Sequence, residues 1–156
     1  MPSAVTLRPL RPDDEAFLCQ VYASTRAEEL TLVDWDPAQK EAFCRMQFEA
    51  QHQYYQENYQ GAAFQVIVRD GVSVGRLYVA RWEDEIRIVD IALLPEHRSA
   101  GIGTLLLTDL LEEARQAGKR VSIHVEKFNR AQELYRRLGF VPVKDAGVYM
   151  LMEWTP

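Results

Sequence analysis

Apolar residues fill nearly every position from Ile86 to Leu94, and from Ile102 onward they recur at intervals of three and four. The first run has no helical period and ends at Pro95, so it predicts a strand covered on both faces. In the second, Ile102, Leu105, Leu106, Leu110, Ala114 and Ala117 share one face, with Asp109, Glu112, Glu113 and Arg115 mostly opposite and Gly118 as the stop. That pattern predicts an amphipathic helix. The stretch between them therefore lies at a helix N-terminus.

The same reading extends over the chain. Val5 to Leu10 predicts a short first strand, followed by a helix entered through Asp13 and Asp14, with Phe17, Leu18, Val21, Tyr22 and Leu30 facing inward. A second helix begins at Pro37 and carries Phe43, Met46, Phe48, Tyr54, Tyr55 and Tyr59 among several glutamines. Phe43 and Phe48 read as packing residues, and some of His52, Tyr54 and Tyr55 as the wall of an acceptor pocket. Ala63 to Arg69 and Val72 to Arg81 flank Asp70-Gly71, a strong hairpin signal. A polar turn at Glu83-Asp84-Glu85 then leads into the 86–94 strand, completing an antiparallel meander. Arg120 to Glu126 alternates as a strand and, reached through a helix, runs parallel to 86–94. Asn129 opens a helix over Arg130 to Leu138 that ends at Gly139, and Phe140 to Lys144 and Val148 to Trp154 close as a hairpin.

With 156 residues, 47% of them hydrophobic and 26% charged, the chain has the size and composition of one globular domain. Its net charge of −5 argues against broad binding to nucleic acid or anionic membrane. A local basic patch of Arg98, Lys119, Arg130, Arg136 and Arg137 remains suited to phosphate. No apolar stretch resembles a signal peptide or a membrane span, so a cytoplasmic protein is expected. Cys19 and Cys44 lack metal-type spacing and read as reduced thiols. His52, His97 and His124 are too scattered for a zinc site, and no metal is expected.

The loop before the second apolar run carries the candidate chemistry. Unpaired N–H groups and the positive end of the dipole attract phosphate at a helix start. Gly101 and Gly103 let that backbone come close to a ligand, and Arg98 adds a charge. Arg98-Ser99-Ala100-Gly101-Ile102-Gly103 resembles the pyrophosphate-binding loop of the GNAT superfamily of acyl-CoA-dependent N-acetyltransferases. Asn129-Arg-Ala-Gln-Glu-Leu-Tyr-Arg-Arg-Leu-Gly-Phe140 resembles the same family's late motif, in which Asn opens a helix, Leu-Tyr follows and Leu-Gly-Phe ends it. The two occur in the family's order, and the likeness extends from about Val5 to Trp154.

The resemblance implies one domain over residues 1–156 of an α/β (α+β) class. Its sheet would be mixed and mostly antiparallel, with central parallel strands that splay apart, flanked by helices. It implies acetyl-CoA as cofactor and a primary amine, on a small molecule or peptide, as acceptor, with direct transfer in a ternary complex. Backbone of Ile91, Ala92, Leu93 and Leu94 would bind the acetyl group and pantetheine. The amides from Arg98, Ser99, Ala100, Gly101, Ile102, Gly103 and Thr104 would bind the pyrophosphate. Asn129 would contact the CoA arm, and Tyr135 would lie near the thioester sulfur as the acid. Some family members carry a Glu base on the central strand, where this chain has Arg87. Asp90, His124 and Glu126 are the alternatives, as is a water relay or no base. The resemblance also allows a homodimer, which no residue pattern marks.

Two other readings compete. A strand, Gly101-Ile102-Gly103, a helix and then Glu126 resemble a dinucleotide fold, but Leu106 occupies the third glycine position and too little chain follows. A non-catalytic acyl-CoA sensor or interaction module accounts for Arg87, whereas Tyr135 and Asn129 favour an enzyme.

Overall fold

A computed structural model describes residues 4–156. Among them the strands are β1 (Val5–Pro9), β2 (Ala63–Arg69), β3 (Val72–Arg81), β4 (Glu85–Leu93), β5 (Arg120–Glu126), β6 (Val141–Ala146) and β7 (Tyr149–Trp154). They form a seven-stranded sheet in the order β1-β2-β3-β4-β5-β7-β6. The main helices are α1 (Glu15–Leu30), α2 (Pro37–Asn58), α3 (Ile102–Ala117) and α4 (Ala131–Arg137). No helix among the described residues is long and apolar enough to cross a membrane. The chain divides into two compact units, one comprising the chain up to Leu77 with Ile91–Arg98, the other Tyr78–Asp90 with Ser99–Pro156.

In the first unit β1 pairs antiparallel with β2, from Val5↔Arg69 to Pro9↔Gln65. Both Asp70 (φ 51°) and Gly71 (φ 81°) are left-handed, the geometry of a two-residue hairpin turn whose twist matches its strands. Asp14 enters α1 as expected but is buried: it accepts two bonds of 2.9 Å from the Arg8 guanidinium and one of 2.7 Å from the Arg11 amide. The Arg8 bonds hold its carboxyl below the ordinary value, against the opposing effect of burial. At the start of α2, Asp36 and Gln39 bond reciprocally, side chain to amide, at 2.8 and 3.0 Å, with Pro37 in the first turn. Leu18 and Tyr22 of α1 pack with Phe48 of α2. His52 stacks on Phe48 at 5.4 Å, Phe43 meets Trp35 edge-on at 5.3 Å, and Tyr54 is exposed. Gly75 of β3 is fixed by proximity: a Cβ there would overlap the Ala92 carbonyl oxygen. Beside it the Leu94 amide donates to the Val74 carbonyl at 2.9 Å.

In the second unit β4 and β5 run parallel, as their connection through α3 requires. Their ladder starts at Glu85↔Arg120 and its last rung is Ile88↔Ile123, although both strands continue. β5 also pairs antiparallel with β7, from Val121↔Trp154 to Glu126↔Tyr149. Leu106, Leu107, Leu110, Leu111 and Ala114 bury the inner face of α3, and Gly118 (φ 67°) ends it. Phe140, expected to start β6, instead packs its ring on Tyr135 at 5.7 Å, and the strand begins one residue later.

Glu85 is the main departure from the expected elements. It is the first residue of β4 rather than part of a polar turn, and it is 6% exposed. Its carboxylate accepts from Ser122 Oγ, from Arg87 Nη2 at 3.0 Å and from Arg120 Nη2 at 2.7 Å. Burial alone would raise its pKa. The bonds from Ser122 and Arg120 and the two guanidinium charges outweigh burial and hold it below the ordinary 4.5. A carboxyl lowered in the native state stabilises the fold fully above its unfolded value and loses that contribution as pH falls through its folded value. Glu85→Gln should therefore cost about 1–3 kcal/mol in urea unfolding at pH 7. The gap from the parent should shrink toward pH 3. An equal gap at both pH values would show that the charge is not what matters.

Candidate functional site

The strand-to-helix loop has the backbone that anion binding asks for. After a short turn at Pro95–His97, Ser99 (φ 60°) and Gly101 (φ 83°) are both left-handed, on either side of Ala100. Only glycine takes that conformation freely; a serine there costs about 1 kcal/mol. Left-handed residues of this kind occur in the concave N–H nests that bind anions. The first α-helical bond of α3 is from the Leu105 amide to the Gly101 carbonyl, 3.0 Å, and no side chain caps the helix at Gly101. The amides of Ile102, Gly103 and Thr104 thus occupy the first turn, at the positive pole of a 16-residue helix. The two glycines differ. Gly101 is required by its φ, whereas a Cβ at Gly103 would meet only Leu134, at 4.0 Å.

In the first unit the Arg98 side chain folds back on the protein. Its Nε donates to the Leu93 carbonyl at 3.0 Å and its Nη2 to Ser24 Oγ of α1 at 3.2 Å. Ser24 Oγ in turn donates to the Val21 carbonyl at 2.7 Å. A separate groove of about 660 Å³ between α1 and α2, lined by Ala16, Cys19, Cys44 and Phe48 among others, contains none of the expected site residues. Cys19 and Cys44 are free thiols whose pKa values are raised chiefly by burial.

The second unit holds the three catalytic candidates. Tyr135 of α4 is 5% exposed. Burial pushes its hydroxyl pKa well up, and the charge of Asp90 adds to the shift. Asn129 caps the start of α4, its Oδ1 accepting from the Ala131 amide at 2.8 Å. Glu126 ends β5, its carbonyl accepting from Gln132 Nε2 at 3.0 Å.

His124 has a different neighbour. Arg87 donates from Nε to Ser122 Oγ at 2.7 Å and lies 5.2 Å over the Trp82 ring, while its Nη1 is 3.4 Å from His124 Nδ1. A guanidinium has no acceptor, so this contact requires a lone pair on Nδ1 and leaves the proton on Nε2. Burial, then Arg87, lower the His124 pKa. Arg87 and His124 share a sheet face through Ser122, and the odd spacing from Arg87 to Asp90 turns the latter to the other face. The charge of Asp90 thus acts on Tyr135, and His124 is drawn to Arg87. Sequence reasoning missed Glu85, Ser122 and Ser24. Glu85 and Arg87 had a legible signal, two opposite charges at strand period entering an apolar run. Among the described residues no three His, Cys, Asp or Glu side chains gather as metal ligands.

Replacing Arg87 with Met should raise the His124 pKa toward, but not to, its ordinary 6.5, because burial remains. An NMR titration of the imidazole would read this, and an unmoved titration would overturn the contact.

With this geometry in hand, the comparisons place the chain. The family model described as "Acetyltransferase (GNAT) family" matches residues 27–140, more than half the chain. A comparison with curated protein sequences finds no match. Among solved structures, the PaiA N-acetyltransferase of Thermoplasma acidophilum, in complex with coenzyme A, superposes with a TM-score of 0.73 at 17% identity, covering 98% of this chain and 99% of that one. An acetyltransferase of Thermus thermophilus gives 0.69 at 18%, over 98% and 97%. A GCN5-related N-acetyltransferase of Rhodopseudomonas palustris gives 0.66 at 21%, over 100% and 99%. The seven-stranded mixed sheet with its one parallel pair is the fold they share with it, and a family model spanning most of its length makes this chain a member of the GNAT acetyltransferase family, whose cofactor is acetyl-CoA.

Proposed function

We propose that the chain moves an acetyl group from acetyl-CoA directly to a primary amine within a ternary complex, with no covalent enzyme intermediate. The observation that carries this reading is Tyr135, a buried hydroxyl held protonated at any working pH, with the charge of Asp90 acting on it. A sensor has no need of a buried proton donor. The donor set also fits the cofactor, since a pyrophosphate asks for convergent N–H groups and positive charge, and residues 98–104 offer both.

Bound acetyl-CoA supplies an activated thioester with a thiolate leaving group. The amides of Ile102, Gly103 and Thr104 hold its pyrophosphate, with those of Arg98, Ser99, Ala100 and Gly101 completing the loop. The backbone of Ile91, Ala92, Leu93 and Leu94 lies past the last β4–β5 rung; it orients the pantetheine arm and offers N–H groups to the acyl oxygen. Asn129, with Oδ1 engaged in the cap, keeps its Nδ2 as the donor that would contact the CoA arm. With acetyl-CoA bound, Tyr135 Oη would be the proton donor to the thiolate leaving group. Asp90 is the candidate base for the incoming amine. His124 is the weaker candidate, since the lone pair that would take a proton faces Arg87. The acceptor is a primary amine on a small molecule or peptide, and the exposed Glu28 and Asp34 beside the α1–α2 connection favour a cationic one.

The first test is calorimetric titration with acetyl-CoA, with NAD as control. Saturable binding of acetyl-CoA alone is expected, and its absence would overturn the reading. Tyr135→Phe should lower kcat about 100-fold or more with little change in KM for acetyl-CoA. An unchanged kcat from pH 6 to 9 would remove Tyr135 as the acid. Gly103→Ala separates fold from ligand. Because nothing crowds that Cβ and alanine favours a helix, the melting temperature should hold or rise slightly, while acetyl-CoA binding weakens. Undiminished binding would mean that the loop backbone is not approached there.

A further inference from the structure

Arg98 is exposed, yet its guanidinium is held in place by hydrogen bonds. A long cationic side chain has many rotamers, and fixing it on a ligand costs the entropy of all of them unless something already restricts it. Two contacts do so here: Nε to the Leu93 carbonyl at 3.0 Å and Nη2 to Ser24 Oγ at 3.2 Å. The second depends on a further bond. Ser24 spends its only proton on the Val21 carbonyl, 2.7 Å away in the preceding turn of α1, so its oxygen meets the guanidinium purely as an acceptor. A serine with its hydroxyl turned otherwise would face Arg98 with its own proton. The chain of bonds from Val21 through Ser24 to Arg98 and on to Leu93 is thus consistent in direction at every step. It leaves the Nη1 edge of the guanidinium outside both contacts.

From this geometry we propose that Ser24 is a positioning residue for cofactor binding: it fixes the Arg98 guanidinium, whose Nη1 is left to donate to the pyrophosphate. The inference rests on the acetyl-CoA reading above. It also assigns α1 a task that neither glycine loop nor late motif contains, since Ser24 lies before the matched family region, residues 27–140.

The test is a double-mutant cycle read by calorimetric titration with CoA on the full chain. Ser24→Ala should weaken CoA binding about 3- to 10-fold, the loss expected of one hydrogen bond to a charged group. Arg98→Ala should weaken it at least as much, and the double variant no more than Arg98→Ala alone. Ser24→Thr, which keeps an oxygen able to bond the preceding turn, should bind nearly as the parent does. Melting temperatures report the fold separately, because alanine in mid-helix leaves α1 intact. Undiminished binding by Ser24→Ala, or losses that simply add in the double variant, would overturn the role of Ser24 while leaving the acetyl-CoA reading in place. If Arg98→Ala binds CoA as well as the parent, the inference falls because Arg98 does not touch the cofactor. Failure of the parent itself to bind CoA would overturn the reading, and the inference with it.

Discussion

Glu85 is a carboxylate taken out of water at the first rung of the one parallel strand pair, and much of the second unit can be traced to how that charge is satisfied. Parallel pairing is slightly weaker per residue than antiparallel pairing, and this ladder runs only from Glu85↔Arg120 to Ile88↔Ile123. Ser122 and Arg120 come from β5, Arg87 from β4, so the carboxylate ties the two strands together by side chains where backbone bonds are few. Removing one of the two arginines would leave a largely buried carboxylate with half of its compensating charge. The same cluster decides what Arg87 can do. With Glu85, Ser122 and the Trp82 face occupying it, its last edge falls on His124 and sets the tautomer there.

That arrangement also accounts for an arginine within an otherwise mostly apolar strand. Arg87 is held by the cluster. Asp90, three residues further along β4, instead acts through its charge on Tyr135. The nearby negative charge makes the Tyr135 phenolate harder to form, and burial acts in the same direction. Burial is the larger cause: Tyr135 lies on a helix of seven residues whose start Asn129 caps, and Phe140 packs against the tyrosine ring.

The fold was largely legible because its elements follow local rules. The Asp70-Gly71 turn, the period of α3 with Gly118 beyond it, the capped α2 and the closing hairpin are all set by residues within a few positions of one another. The entry into α3 after Gly101 was legible for the same reason. What sequence did not disclose depends on partners far along the chain. The spacing of Glu85 and Arg87 hinted at a strand, but two of the three side chains that accommodate Glu85 come from β5, more than thirty positions on. Ser24 is an ordinary helix residue until Arg98 folds onto it from 74 positions away. Gly103 looked like Gly101, yet only the second has a backbone that excludes other residues. The aromatic surface of α2 was divided between two readings, and the fold splits it too: Phe48 is core, Tyr54 is exposed.

Gly75 was described above only as a place without room for a side chain, in contact with the Ala92 carbonyl. Because β-strands favour branched residues, substitution at a strand interior glycine ordinarily improves local propensity, and a search for stabilising changes would choose this position early. Here the improvement would be bought by lifting the backbone of residue 92, which lies in the segment assigned to the acyl group. The hydrogen atom at residue 75 therefore serves as a spacer that sets the height of a neighbouring strand, and a gain in strand propensity at that site and the alignment of the peptide units above it are opposed.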